Sequence, residues 1–74
     1  MNVVKVLAST RRQLESAVLD AGIEAELLLR HASGMDRVGL YASLNEPIDP
    51  PTARQLSELV RRRLGGEPLA YITG

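Results

Sequence analysis

Few side chains in this sequence can take part in chemistry, and their spacing limits what that chemistry could be. His31 is the only histidine and cysteine is absent, so a thiolate nucleophile, a disulfide framework and a His/Cys metal cluster are all excluded by inventory. His31 falls late in an apolar helical stretch, where an imidazole suits the negative end of the helix dipole, and no serine is obviously paired with it. Glu24 with Glu26, Asp36 with Arg37, and Glu46 with Asp49 lack the spacing of a catalytic carboxylate pair and read as caps and surface charges. Gly65-Gly66 follows a helix, whereas phosphate-binding glycine loops follow a strand and open onto a helix, so it reads as a hinge or cap. The sharpest charged feature is Arg61-Arg62-Arg63, with Arg54 upstream. Such a run either stabilises the last turn of a helix or meets a phosphate or an acidic protein surface. Successive helical residues point about 100° apart, so the three arginines cannot form one flat patch.

These residues must be held by helices. Val4, Leu7, Leu14 and Val18, widened by Val3, Ala17 and Ala21, predict a helix from about residue 3 to 21, with Gly22 ending it in a left-handed conformation. Glu24 and Glu26 open a second helix at the positive end of its dipole. Its Ala25, Leu27, Leu28, Leu29 and Ala32 are too many apolar groups for one narrow stripe, which predicts packing on more than one side, and Gly34 stops it. Asp36 caps a short third helix through Val38, Leu40, Tyr41 and Leu44. The Asn45–Pro51 segment is a loop, and a fourth helix begins at Asp49 or Pro50 with Ala53, Leu56, Leu59, Val60 and Leu64 on its apolar face. Gly65-Gly66 ends it, and Pro68 opens a short fifth helix over Leu69–Ile72. No segment alternates with period two. The expected fold is all-α: a small bundle of four to five short helices.

Seventy-four residues allow one domain with a thin stability margin. Nine basic and nine acidic residues balance, which argues against a chain built to wrap nucleic acid. A helix-turn-helix reading also fails on charge, because the second helix opens with Glu24 and Glu26 and then turns apolar, where a recognition helix presents basic and polar groups. No run approaches the roughly 20 apolar residues of a membrane span, and the N-terminus, interrupted at Lys5, is not a secretory signal. The absence of cysteine fits a reducing cytoplasm. Leu69, Tyr71 and Ile72 stand at the end of the chain with little left to cover them, so the sequence is expected to continue into a further domain.

The tail also carries a resemblance. Arg62-Arg63 followed by Gly66-Glu67-Pro68-Leu69-Ala70-Tyr71-Ile72-Thr73-Gly74 resembles the R-R-x-x-G-E-P-[LI]-A-Y-[IL]-T-G signature of the release-factor glutamine methyltransferases, the HemK/PrmC family. Glu24-Ala25-Glu26-Leu27-Leu28-Leu29 is similar to that family's D-A-E-[LI]-L-L segment, with Glu24 in place of its usual Asp. Arg37 with Leu40 resembles its R-x-x-L, and Leu56 with Leu59 its helix-four leucines. The connection between helices one and two is shorter here than the family's usual stretch containing Ser-Pro-Arg.

The resemblance implies a division into residues 1–64, a helical substrate-recognition bundle, and residues 65–74, a linker and short helix leading into a catalytic domain that these residues do not include. It implies a cytoplasmic parent enzyme that uses S-adenosylmethionine to methylate the glutamine of the Gly-Gly-Gln tip of bacterial class I release factors. No catalytic, cofactor-binding or metal residue is assigned to this segment. Its expected partners are the release factor and its own catalytic domain, with no membrane and no nucleic acid. Arg54, Arg61 and Arg62 are the expected substrate-docking residues. Two other readings stand beside this one: a stand-alone nucleic-acid-binding domain, which a steep salt dependence of binding would reveal, and a protein–protein module such as a dimerisation bundle, which sedimentation would reveal.

Overall fold

Five helices and no strand make up the chain: α1 (Val3–Leu14), α2 (Ala21–Ser33), α3 (Arg37–Ala42), α4 (Pro50–Leu64) and α5 (Leu69–Thr73). The computed structural model describes residues 1–74. The expected all-α bundle is therefore what forms, and its helix ends follow from local chemistry. Asn2 caps α1 by accepting from the Lys5 amide at 3.0 Å, Asp36 caps α3 through the Gly39 amide at 2.7 Å, and Asp49 caps α4 through the Thr52 amide at 3.2 Å. Pro50 and Pro51 fill the first positions of α4, where their missing N–H groups cost nothing.

The start of α1 has a second support. The amides of Val3 and Val4, orphaned by their place in the first turn, donate to the carbonyls of Glu46 and Leu44, and the Ile48 amide donates to the Met1 carbonyl. The loop between α3 and α4 thus lies across the beginning of the chain, with Asn2 and Pro47 forming a single antiparallel bridge.

One expected boundary is wrong. α1 ends at Leu14, and Gly22 lies inside the first turn of α2 at a negative φ. A helix running to residue 21 would leave no chain with which to turn α2 back against α1. The reversal is made by residues 15–20, where the Ala17 and Val18 amides both return to the Leu14 carbonyl. The glycine that does adopt the left-handed conformation is Gly34, at φ 76°, closing α2. Replacement by alanine should therefore act with opposite sign at the two glycines. Gly22→Ala is expected to stabilise by about 0.5–1 kcal/mol, since its Cβ would meet only the Arg11 Cδ at 3.8 Å. Gly34→Ala is expected to cost about 1–2 kcal/mol from backbone strain alone. Urea unfolding of the two variants checks this, and a loss at both sites would reinstate Gly22 as a helix terminator.

The core is aliphatic. Leu14, Leu28, Leu29 and Leu40 are fully buried, and Val3, Val6, Ala21, Ala25, Leu56, Leu59, Val60 and Ile72 complete the cluster. α2 packs against α1, α4 and α5, as its broad apolar surface predicts. The buried stripe of α1 is Val3, Val6, Thr10 and Leu14, while Val4 faces outward. On α3 only Leu40 enters the core; Val38 and Tyr41 are exposed, and the helix ends before Leu44. On α4, Leu56, Leu59 and Val60 are buried and Leu64 is half exposed.

Candidate functional site

The arginine-rich end of α4 meets three different carboxylates. Arg61 donates from Nε to Glu58 at 2.9 Å and from its terminal nitrogen to the other carboxylate oxygen. Arg62 grips Glu67 in the same two-point manner, its Nε at 2.8 Å, and a terminal nitrogen also reaches the Tyr71 carbonyl at 3.5 Å. Arg63 donates to Glu24 at 2.6 and 3.3 Å and to the Glu67 carbonyl at 3.3 Å. The 100° step between neighbours has sent each guanidinium to a different element: α4 itself, the segment after it, and α2.

Ser57 and Glu58 lie three and four residues after Arg54 and four and three before Arg61, so all four share one face of α4. With Ala53 they line an open, shallow surface of about 390 Å³. Arg54 is exposed and makes no ion pair or side-chain hydrogen bond. Of the three expected docking residues, the fold therefore brings Arg54 and Arg61 together and turns Arg62 away, towards Glu67.

Glu24 and Glu26 are not the solvated charges their sequence suggests. Glu24 is nearly enclosed in its pair with Arg63. Glu26 accepts the Tyr41 hydroxyl at 2.8 Å and lies 3.6 Å from Arg30 and 3.5 Å from Arg37, whose guanidinium sits 5.6 Å from the centre of the Tyr41 ring. This network ties α3 to α2. Only the Glu26–Arg30 pair, four residues apart on α2, leaves a local pattern in the sequence; Tyr41 and Glu26 are 15 residues apart and Arg63 and Glu24 are 39 apart.

The same pairs set the acid–base behaviour. Arg62 holds the Glu67 carboxyl below its ordinary value, Arg61 does so for Glu58, and hydrogen bonds from Thr52, first from its hydroxyl and then from its amide, do so for Asp49. Carboxylates depressed in the folded state contribute stability that is complete above their ordinary pKa and is lost as pH falls through the depressed one. The thermal midpoint should accordingly fall as pH drops below about 4. Arg62→Gln removes the cause of the Glu67 shift, so the fall from pH 7 to pH 3 should be smaller in that variant. An equal fall in both proteins would mean that this pair adds nothing to acid sensitivity.

His31 is exposed at the end of α2 and no side chain bonds to it. No group of three His, Cys, Asp or Glu side chains is arranged to hold a metal ion. A groove of about 400 Å³ between α1, α2 and α3 is lined by Leu7, Arg11, Ile23, Glu26, Arg37 and Tyr41 among others, and its ionisable groups are paired with one another or with Glu15. No helix is long and apolar enough to cross a membrane.

What the fold and these contacts define is a small all-α domain whose C-terminal segment is fastened to the bundle by arginines. The chain belongs to the PrmC N-terminal domain family, whose model matches residues 5–74. It is 46% identical over 71 residues to the release factor glutamine methyltransferase of Geobacter sulfurreducens, a match covering 95% of this chain and 25% of that protein. Over 70 residues it is 39% identical to the enzyme of the same name from Nitratidesulfovibrio vulgaris, covering 93% of this chain and 24% of the relative. The enzyme of that name from Burkholderia pseudomallei is 37% identical over 75 residues, 100% of this chain and 26% of the relative. The chain thus spans about a quarter of the length of the curated relatives it matches. No solved structure matches it.

Proposed function

We propose that this chain is the substrate-docking domain of a cytoplasmic, S-adenosylmethionine-dependent enzyme that methylates the side-chain amide of the glutamine in the Gly-Gly-Gln motif of bacterial class I release factors. The family match over residues 5–74 carries this reading. In it, residues 1–64 form the recognition bundle and residues 65–74 lead into the catalytic domain. An amide nitrogen is a weak nucleophile, so binding energy gathered far from the reacting atom is well used in orienting it. A rigid bundle with an exposed cationic face supplies such contacts.

The methyl donor is proposed to bind outside these residues. The Gly65, Gly66 and Glu67 amides, the only glycine-rich run available to an anionic or nucleotide-like group, are spent on the carbonyls of Arg61, Arg63 and Arg62. Its chemistry belongs to the catalytic domain.

The release factor is proposed to meet the α4 face carrying Arg54 and Arg61; Arg62, the third expected contact, is committed to Glu67. Arg54 is the first residue to test because no partner on the bundle competes for it. Arg54→Glu in the full-length enzyme is expected to raise KM for the release factor about threefold to tenfold, with kcat unchanged. Steady-state kinetics with purified release factor at two salt concentrations checks this, and unchanged KM removes this face from the proposal. Nucleic acid fits less well. Six of the nine Lys and Arg side chains are in ion pairs, which leaves only Lys5, Arg12 and Arg54 free.

A further inference from the structure

The segment after α4 is held in an unusual way. Gly66, at φ 97°, ends the helix, with its amide on the Arg63 carbonyl and the Glu67 amide on the Arg62 carbonyl. This pattern is a Schellman closure, in which Arg62 occupies the third position from the helix end and Glu67 the second position beyond the cap. In such closures those two positions frequently make an apolar contact. Here they make a two-point guanidinium–carboxylate pair. An apolar contact tolerates rotation, whereas a planar fork with two parallel hydrogen bonds fixes both distance and angle.

Arg63 adds a second constraint. Its guanidinium joins Glu24 on α2 to the Glu67 carbonyl, so the first residue after the turn is tied to α2 as well as to α4. α5 needs this support. Five residues are too few to hold a helix by themselves, and of its apolar side chains only Ile72 is buried in the core, with Leu69 half-buried. In this arrangement Ile72 enters the core and Tyr71 is three-quarters exposed.

We propose that Arg62 and Arg63 are positioning residues that, with Glu67 and Glu24, fix the direction in which the polypeptide leaves the bundle. The proposal rests on the reading that a catalytic domain follows. A substrate held on the bundle reaches the reacting atoms in register only if the angle between the two domains is set, and a misplacement of 1 Å can cost about a hundredfold in rate. The arginine pair at the end of α4 acts on the reaction through geometry and touches neither the substrate nor the methyl donor.

The test uses Arg62→Gln, Glu67→Gln and the exchanged pair Arg62→Glu/Glu67→Arg, with two measurements. Amide hydrogen exchange in the 74-residue chain should be about tenfold faster at Glu67 and Tyr71 in each single variant, unchanged at Leu28 and Leu29, and slowed again in the exchanged pair. In the full-length enzyme, kcat should fall about tenfold or more in each single variant with KM for the release factor within about twofold of wild type, and the exchanged pair should recover kcat. Unaltered exchange at Glu67 and Tyr71 overturns the clamp. A raised KM at constant kcat overturns the positioning role, because it is the signature of a direct substrate contact. Should the wild-type full-length protein fail to methylate release factor, the functional reading falls, and the exchange measurement decides the clamp on its own.

Discussion

Leu28→Ala is expected to remove a large share of the stability of the fold and to lower its thermal midpoint steeply. Leu28 is fully buried at the centre of α2, the helix that packs against α1, α4 and α5. Removing a buried leucine side chain costs about 2–5 kcal/mol, from lost transfer energy and the cavity left behind. A domain of this length has a total stability of about 4–11 kcal/mol, by the usual share per residue. The substitution therefore removes from about a fifth to all of the margin, and the thermal midpoint should fall by at least about 10 °C. Leu28→Met, which keeps the volume, should cost less than about 1.5 kcal/mol. Calorimetry on the two variants distinguishes them. If Leu28→Ala lost under about 1 kcal/mol, α2 could not be the central packing element.

The second large effect is expected at the pair joining the two ends of the fold. Glu24 and Arg63 retain only 12% and 22% of their side-chain exposure, so neither is well solvated if its partner is removed. Arg63→Ala should cost about 1.5–3 kcal/mol, the range for losing hydrogen bonds to a charged group, and Glu24→Ala a similar amount. The double variant should cost less than the two single losses together, with a coupling of about 1–2 kcal/mol. Glu58 and Arg61 provide the contrast. Their side chains are 54% and 71% exposed, and their separation should cost no more than about 0.5 kcal/mol. Additive losses at Glu24 and Arg63 would reduce that pair to the same status.

The difference between these two pairs also shows where sequence reasoning succeeds and fails. α4 was readable end to end, because Asp49, two prolines and two glycines each act on their own neighbours. The arginine run was readable as a run, and its divergence followed from the helix step. Its partners were not. The pairing of Arg61 with Glu58 is a local helical spacing, but Glu24 meets Arg63 only because α2 returns alongside α4. The end of α1 was misread for a related reason. Val18 continues the apolar period of the helix, and only the need to fold α2 back shows that the period is not followed by the backbone. The choice between Val4 and Val6 on the inner face likewise depends on how α1 is rotated against its neighbours, which periodicity alone leaves open. The α4 face bearing Arg54 and Arg61 was half legible: both residues were singled out, but their common face was not separated from Arg62.

The loop laid across the beginning of α1 has a consequence for how the chain acquires its shape. The first-turn amides of Val3 and Val4 find their acceptors at Glu46 and Leu44. A growing polypeptide that has emerged only as far as α2 holds Leu14, Leu28 and Leu29 of the core but neither Leu40, Leu56 and Leu59 nor the carbonyls that close its own first helix. α1 is then secured late, when the middle of the chain returns to its start, and the amino-terminal turn is among the last parts to become protected during synthesis.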